Sequence, residues 1–220
     1  MGIICTKECQ INLRLSVIIP VKQYNTAKTR LDVSDEQRAE LCHLMLHETL
    51  LTLNRSADIH EIVVVTGEAR AKRLSEAMGA TTLYDDDSGV NQAVHTADTY
   101  LSKRQATMSL VIPLDMPLME PSDISFLLKF FTPPTCILVV PSIRYDGTNA
   151  LLRCPPDVMG TSYDDNSYRN HMAMARRAVT NNGLVHVPRM MHDVDTLMDL
   201  KYVLQRARPD LKQRINDILR

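Results

Sequence analysis

The sequence has little glycine and no marked excess of charge of either sign. Its 220 residues include only 7 Gly and 11 Pro, which excludes a collagen-like or low-complexity chain. Lys and Arg together number 25, Asp and Glu 26, and the net charge is -1. Because proteins dedicated to nucleic-acid binding usually carry a strong basic excess, this balance argues against a nucleic-acid partner. It remains compatible with a small anionic ligand held by a few local cations.

Long apolar runs are also missing. No stretch approaches the roughly 18 uninterrupted apolar residues of a membrane span. The apolar segment at residues 11–20 contains Asn12 and Arg14 and has no cleavage site, so it does not read as a signal peptide. The five cysteines are scattered and show neither metal-ligand spacing nor a disulfide framework. We therefore expect reduced thiols in a cytoplasmic protein that does not associate with a membrane.

The order of apolar runs predicts the organisation of the chain. We predict that residues 1–14 form an N-terminal extension and residues 15–220 a single domain. A chain with 45% hydrophobic residues can bury one core of this size. Ser34 with Gln37 predicts a capping box at the start of the first helix. The predicted strands cover 15–20, 61–66, 81–84, 108–114, 136–141, 148–152 and 184–187. The predicted helices cover 34–54, 68–78, 90–103, 122–130 and 167–179, followed by two C-terminal helices separated at Pro209.

This alternation of strands and helices predicts the fold class. Strand–helix–strand units build a mostly parallel sheet with helices on both faces, so we expect an α/β domain of this kind. In such sheets ligands bind outside the carboxyl ends of the strands. The residues that directly follow each predicted strand are therefore the first candidates for function.

The loop after the first strand carries three cations, Lys22, Lys28 and Arg30. In an extended loop, Lys28 and Arg30 are two residues apart and point to one side. Arg supplies a planar bidentate donor and Lys a point charge, which suits the phosphates of a nucleotide. The loop contains no glycine, so it is neither a Walker loop nor a GxGxxG loop. The alternative is an ordinary solvated loop.

Three aspartates follow predicted strands. Asp115 ends an apolar strand, and a carboxylate there could bind Mg²⁺ together with substrate phosphate oxygens; the alternative is a turn residue before Pro117. Asp193 and Asp195 are two apart and face one side in extended chain, an arrangement that like charges disfavour unless a cation lies between them. The alternative is that Asp195 or Thr196 only caps the next helix.

The middle of the chain offers short polar side chains. Thr148 and Asn149 follow an Asp-Gly turn signal. Ser167 opens a predicted helix, and a helix N-terminus that begins with Ser suits an anion. The alternatives are a plain N-cap for Ser167, and an exposed or core imidazole for His171 in the same segment.

Taken together, these segments resemble the 2-phospho-L-lactate guanylyltransferases of deazaflavin coenzyme F-420 biosynthesis, whose relatives use phosphoenolpyruvate. The resemblance spans roughly residues 15–205 and rests on the order and spacing of several motifs. They are PVK…AKTRL (20–31), SGVNQAV (88–94), IPLDMPL (112–118), PSIRYDGTNALL (141–152), SYRNH (167–171) and DVDT (193–196). The family has a nucleotidyltransferase fold of the glycosyltransferase-A type, which agrees with the α/β prediction, and its members are often homodimers.

The resemblance implies roles for these residues. Asp115, Asp193 and Asp195 would hold Mg²⁺. Lys28 and Arg30 would act with Asp115 in catalysis. The substrate-binding positions would be Lys22 for the triphosphate, Gly89 and Asn91 for the nucleoside, and Thr148, Asn149, Asp164 and Ser167 around the acceptor.

The expected reaction is nucleotidyl transfer. The phosphate of (2S)-2-phospholactate, or of phosphoenolpyruvate, attacks the α-phosphorus of GTP and expels pyrophosphate. With phospholactate the product is lactyl-2-diphospho-5'-guanosine. Because the nucleophile is already an anion, no general base is required, and catalysis consists of positioning and charge neutralisation.

One departure from the family keeps alternatives open. Asp164 stands where the family usually has glycine in the segment before Ser167, and a carboxylate there is expected to repel an anionic acceptor. It is the one residue that favours a non-catalytic nucleotide-binding regulator. A second alternative is a nucleotidyltransferase for molybdopterin or a sugar phosphate, but those families usually carry a glycine-rich first loop, which this sequence lacks.

Overall fold

The computed structural model describes residues 14–220. The predicted N-terminal extension, residues 1–14, therefore lies almost entirely outside the described residues. The strands are β1 (Leu15–Val21), β2 (Ile59–Thr66), β3 (Thr81–Leu83), β4 (Met108–Val111), β5 (Cys136–Pro141), β6 (Thr148–Cys154) and β7 (Asn182–Leu184). The helices are α1 (Asp35–Asn54), α2 (Ala69–Ala77), α3 (Val90–Lys103), α4 (Pro121–Leu128), α5 (Ser167–Ala178), α6 (Leu197–Arg206) and α7 (Pro209–Ile218).

The strands form one seven-stranded sheet in the order β3-β2-β1-β4-β6-β5-β7. β6 runs antiparallel to both of its neighbours, β4 and β5, and all the other strand pairs are parallel. The predicted α/β fold with a mostly parallel mixed sheet is confirmed.

Helices cover both faces of the sheet, because the central strands are apolar on both sides. On β1, Val17 and Ile19 belong to the apolar cluster on one face, while Ile18 belongs to the cluster on the other. This is the two-residue alternation of a strand. The first cluster also contains buried residues of α1, α2, α4, α6 and α7, and the second contains buried residues of α3 and α5.

Local signals in the sequence begin several helices. The predicted capping box is confirmed: the Gln37 backbone N–H donates to the Ser34 hydroxyl, and the Ser34 backbone N–H donates to the Gln37 side chain, each at 3.1 Å. Thr196 and Asp199 form a second box at the start of α6. Pro209 begins α7, where a missing N–H costs nothing.

β4 is shorter than predicted. The expected strand covered 108–114, but the ladder ends at Val111. The Ile112 N–H still donates to the Ile18 carbonyl at 3.0 Å. Pro113 follows, and proline has no N–H with which to continue a ladder.

The last strand was predicted at 184–187, and this prediction is wrong. The structure places β7 at Asn182–Leu184, parallel to β5. Val185 donates one more hydrogen bond to Val139, at 2.9 Å, and pairing then stops. Val185 and Val187 are buried, so the apolar alternation in the sequence reflects burial. A ladder also needs hydrogen bonds between strands, and the Val187 carbonyl instead accepts from the Met190 and Met191 N–H groups of the following turn.

The strand order determines where a site can form. β1 and β4 are adjacent, and the chain leaves β1 toward β2 on one side and returns to β4 on the other. This reversal opens a crevice at their carboxyl ends. Because β6 is antiparallel, its first residue lies at the same edge. Within residues 14–220, no helix combines the length and apolarity needed to cross a membrane.

Candidate active site

A pocket of about 340 Å³ opens at the carboxyl ends of β1 and β4. Its volume falls in the range of small-molecule sites, roughly 300–1,000 Å³. The loop after β1, the end of the β4 segment and the start of β6 form its walls. Polar side chains in the lining are Lys22, Thr26, Lys28, Thr29, Arg30, Asp115, Thr148, Tyr163 and Asp195.

Three aspartates meet beside this pocket. One carboxylate oxygen from each of Asp115, Asp193 and Asp195 lies within 4.8 Å of the others. The Val194 N–H donates to the Asp115 carbonyl at 3.0 Å, which ties the Asp193–Asp195 segment to the end of β4. The two acids of that segment therefore face one side, as their spacing predicted, and Asp115 lies on that side.

Lys28 and Arg30 lie against the same carboxylates. The Lys28 ammonium donates to Asp115 and, at 2.7 Å, to Asp195. The Arg30 guanidinium donates to Asp195 at 2.6 Å. Burial alone lowers the pKa of Lys28, but the charges of Asp115 and Asp195 outweigh it, so this pKa is raised above its ordinary value. Lys28 is therefore a permanent cation at the centre of the cluster.

The carboxylates differ in how far neighbouring positive charges offset their negative charge. Burial raises the pKa of Asp193, and the nearby charge of Asp115 adds to this effect. Burial has the same tendency at Asp195, but Lys28 and Arg30 outweigh it and lower the Asp195 pKa. Of the two acids, Asp193 is thus the one that has no ion pair within residues 14–220.

The cluster fits a hard divalent cation. Asp115 Oδ1 is buried and has no hydrogen-bond partner among residues 14–220. An unpaired buried carboxylate oxygen is costly. Three carboxylates supply the oxygen ligands that Mg²⁺ prefers. A bound cation would satisfy Asp115 Oδ1 and relieve the repulsion at Asp193.

Arg144 was not singled out from the sequence, although it lies within the PSIRYDG segment. Its guanidinium binds both carboxylate oxygens of Asp199, at 2.6 and 2.7 Å, and lies 3.9 Å from Asp195. Asp199 also caps α6 by accepting from the Thr196 N–H at 2.8 Å. Capping thus explains Thr196, while the Asp195 carboxylate contacts Lys28 and Arg30.

The predicted acceptor residues occupy three different settings. Thr148 lines the pocket. The Asn149 side-chain amide donates to the Met190 carbonyl at 3.0 Å and to Asp193 at 3.1 Å, so it holds a member of the acidic cluster. Ser167 is buried at the first position of α5; the N-cap is Asn166, in the left-handed conformation.

The predicted nucleoside residues begin α3. Gly89 is its N-cap with a φ of 103°, a conformation that favours glycine. Asn91 accepts from the Tyr163 N–H at 2.8 Å and donates to Asp164 at 3.4 Å. The exposed Asp164 carboxylate is therefore engaged at the start of α3. Lys22 is exposed at the rim of the pocket.

His171 is a further residue whose importance the sequence did not reveal. It is fully buried one turn after Ser167 on α5. Its ring nitrogens contact the Thr148 hydroxyl and the Ser162 N–H, both at 2.9 Å. Burial, with a smaller contribution from the charge of Arg153, lowers the pKa of His171 to about 4. The imidazole is therefore neutral at pH 7.

This neutrality makes stability depend on pH. The pKa of His171 is lowered in the folded state, from 6.5 to about 4, so the unfolded chain binds a proton that the folded chain rejects. Above pH 6.5 His171 should leave the free energy of unfolding unchanged. As the pH drops toward 4, its contribution should lower that free energy by about 2–3 kcal/mol. Urea unfolding of the wild type and His171→Asn at pH 7 and pH 4.5 measures this.

His171→Asn should lose that part of the pH dependence, whatever its stability at pH 7. The matched control is His95→Asn, at an exposed position of α3, which should keep the wild-type dependence. Equal pH dependence in all three proteins would contradict the buried neutral imidazole.

Comparison with known proteins identifies the family. The family described as "Guanylyl transferase CofC like" matches residues 15–208. The phosphoenolpyruvate guanylyltransferase of Conexibacter woesei is 33% identical over 187 residues, which cover 83% of this chain and 84% of that protein. The 3-phospho-D-glycerate guanylyltransferase of Colwellia psychrerythraea is 28% identical over 208 residues, covering 94% of this chain and 98% of that protein.

Solved structures agree on the fold. A protein of Desulfovibrio desulfuricans G20 described as a nucleotide-diphospho-sugar transferase superposes with a TM-score of 0.72, at 16% identity, covering 94% of this chain and 97% of its own. At this identity the likeness shows the fold alone, and it confirms the predicted glycosyltransferase-A type. With the family match over residues 15–208 and a relative at 33% identity, the chain belongs to the CofC-like family of guanylyl transferases.

Proposed function

We propose that this chain transfers the guanylyl group of GTP to a small phosphorylated acid. An oxygen of the acceptor phosphate forms a bond to the α-phosphorus of GTP. The bond from that phosphorus to the β-phosphate oxygen breaks, and pyrophosphate leaves with the electron pair. The acceptor phosphate is already ionised, so the step moves no proton and asks for no general base.

The observation that carries this proposal is the charge arrangement in the crevice between β1 and β4. Asp115, Asp193 and Asp195 converge there within 4.8 Å, and Lys28 and Arg30 lie against them. Phosphoryl and nucleotidyl transfer need positioning and charge compensation more than covalent chemistry. A cluster with three acids and two cations at a ligand crevice is suited to that task.

The acids and the cations have separate roles. Asp115, Asp193 and Asp195 would hold Mg²⁺, which when bound supplies charge compensation on phosphate oxygens. Lys28 and Arg30 carry positive charge to the same place, so they are positioned to neutralise the leaving pyrophosphate. Asn149 holds Asp193, and the pair of Arg144 with Asp199 braces the segment that carries Asp195.

The acceptor side of the site supports a phosphorylated acid. The Thr148 hydroxyl lines the pocket, and its partner His171 lies on α5, the helix that begins with Ser167, so these two hydroxyl groups are our candidates to bind the anion. The Asp164 carboxylate, which was expected to repel such an anion, is exposed and accepts a hydrogen bond from the neutral Asn91 amide at 3.4 Å, so its charge is still present. We propose (2S)-2-phospholactate or phosphoenolpyruvate as the acceptor, which would place the reaction in coenzyme F-420 biosynthesis. 3-Phospho-D-glycerate, named for the Colwellia psychrerythraea relative, is the third candidate.

The test is release of pyrophosphate in the presence of Mg²⁺. GTP, ATP, CTP and UTP are each combined with phospholactate, phosphoenolpyruvate and 3-phosphoglycerate, and the dinucleotide product is identified by mass spectrometry. Reactions without an acceptor measure simple hydrolysis. We expect release that requires GTP and one of the acids.

Two results would contradict the proposal. Equal release with and without an acid would mean hydrolysis. No release in any combination, from a folded protein that binds GTP by calorimetry, would favour the non-catalytic regulator.

A further inference from the structure

Thr148 and His171 form a buried pair at the wall of the pocket. The Thr148 hydroxyl lies 2.9 Å from His171 Nδ1. Thr148 is 6% exposed and His171 fully buried. Thr148 also lines the pocket, whereas the imidazole lies behind it. The imidazole therefore meets the pocket wall through its hydrogen bond to Thr148 and its ring contact with Tyr163.

The backbone decides which nitrogen of His171 carries the proton. The Ser162 N–H donates to Nε2 at 2.9 Å, so Nε2 is an acceptor and holds no proton. In a neutral imidazole the proton must then be on Nδ1. Burial and the charge of Arg153 keep the ring neutral by lowering its pKa to about 4.

This tautomer sets the direction of the Thr148 hydroxyl. The Nδ1–H of His171 donates to Thr148 Oγ1, which must accept it. Among the described residues, Thr148 Oγ1 has no other side-chain hydrogen-bond partner. Its own hydrogen is thus left to donate into the pocket. With the opposite tautomer, Thr148 would donate to the histidine and present lone pairs to a bound anion.

We propose that His171 is a positioning residue that makes Thr148 a hydrogen-bond donor to an anionic oxygen of the acceptor. This inference rests on the proposed function and adds the group that selects an anion at this position. The relay runs from the Ser162 N–H through the imidazole to the Thr148 hydroxyl.

Packing holds the imidazole in this orientation. The Tyr163 ring meets it edge-on, with the centroids 4.8 Å apart and the planes at 69°. Ser162 and Tyr163 are consecutive, so one segment supplies both the hydrogen bond to Nε2 and the ring contact. Tyr163 is in turn tied to α3 through Asn91. Because the His171 side chain is already held by these contacts, it loses little conformational freedom when the acceptor binds.

Two amide variants separate the two hydrogen bonds of the ring. An Asn amide reaches about the position of Nδ1, so His171→Asn can still donate to Thr148. A Gln amide reaches about the position of Nε2, so His171→Gln can still accept from Ser162 but does not hold Thr148. We expect His171→Gln to raise the KM for the acceptor about tenfold, with His171→Asn close to the wild type. The KM for GTP should stay within about twofold in both.

A double-mutant cycle tests whether the effect passes through the threonine. Thr148→Val removes the hydroxyl and should raise the acceptor KM about tenfold. His171→Gln added to Thr148→Val should change it by less than about twofold. Independent, multiplying effects, or equal losses in His171→Asn and His171→Gln that follow their melting temperatures, would overturn the proposal in favour of a structural role.

The tautomer is measured independently of turnover. Two-dimensional ¹⁵N–¹H correlation through the imidazole ring of the wild type, with the signals assigned by their loss in His171→Asn, reports which nitrogen is protonated. We expect a proton on Nδ1, and a proton on Nε2 would overturn the proposal even in an active enzyme. A wild type that is silent with every acid contradicts the proposed function instead, so the two failures are distinguishable.

Discussion

Replacing Asp115 by Asn is expected to lower turnover by at least about 10³-fold while leaving the protein folded. The substitution keeps the size of the side chain but removes one of the three charges of the acidic cluster. It also removes the carboxylate oxygen that is buried without a partner. Asp115 follows β4 at the edge of the sheet where the pocket opens. Pyrophosphate release at saturating Mg²⁺ measures the effect.

The matched control is Asp217→Asn, which removes the same charge from a half-exposed position on α7. It should keep wild-type turnover. Binding of Mn²⁺, followed by electron paramagnetic resonance, should weaken in Asp115→Asn and not in the control. Near-normal turnover of a folded Asp115→Asn protein would remove Asp115 from the catalytic site.

The largest expected loss of stability comes from Asp98→Ala. Arg153 on β6 is completely buried, and its guanidinium binds both oxygens of Asp98 on α3, at 2.6 and 2.8 Å. Removing Asp98 leaves a buried cation without its counter-charge, and within residues 14–220 its one remaining hydrogen-bond partner is the Met159 carbonyl at 3.1 Å. Breaking a buried ion pair in this way lowers the free energy of unfolding by about 3–5 kcal/mol. Urea unfolding should show this loss, and the melting temperature should fall by roughly 10 °C.

Replacing the arginine of the pair instead of the aspartate should lower the free energy of unfolding by a smaller amount. Arg153→Met leaves Asp98, whose side chain is 15% exposed and can be hydrated. The double variant Asp98→Ala/Arg153→Met should be more stable than Asp98→Ala, because it leaves no buried charge. The control is Arg220→Met, in an exposed pair with Asp217, for which we expect about 0–1 kcal/mol. An Asp98→Ala protein as stable as that control would contradict the importance of the buried pair.

Most of the fold could be predicted because it depends on local pattern. The apolar runs at β1 and β2 and the helical periodicity of α3 are visible in the sequence, and their burial follows from composition. The errors lie at strand ends. β4 stops before Pro113 and β7 precedes the apolar alternation at Val185 and Val187, because ladder pairing depends on a neighbouring strand that the sequence does not show.

The acidic cluster could be located from the place of Asp115 after an apolar strand and from the two-residue spacing of Asp193 and Asp195, and the family resemblance joined the three. Asp115, Asp193 and Asp195 were predicted as a set, and the structure brings them together. Arg144 and His171 were missed as functional candidates. Their partners, Asp199 and Thr148, lie 55 and 23 residues away in the sequence, and neither the spacing nor the residue types indicate these contacts.

The amino-acid sequence by itself determined the α/β class, the order of the elements and the segments that carry chemistry, since these follow from apolar periodicity and from residue types at strand ends. Only the tertiary structure decided which charges neutralise each other. Lys28 contacts Asp115 and Asp195 and offsets their charge, whereas the partner of Asp164 is the neutral amide of Asn91. Such pairing depends on distances of a few ångströms between distant segments, and only the packed sheet sets those distances.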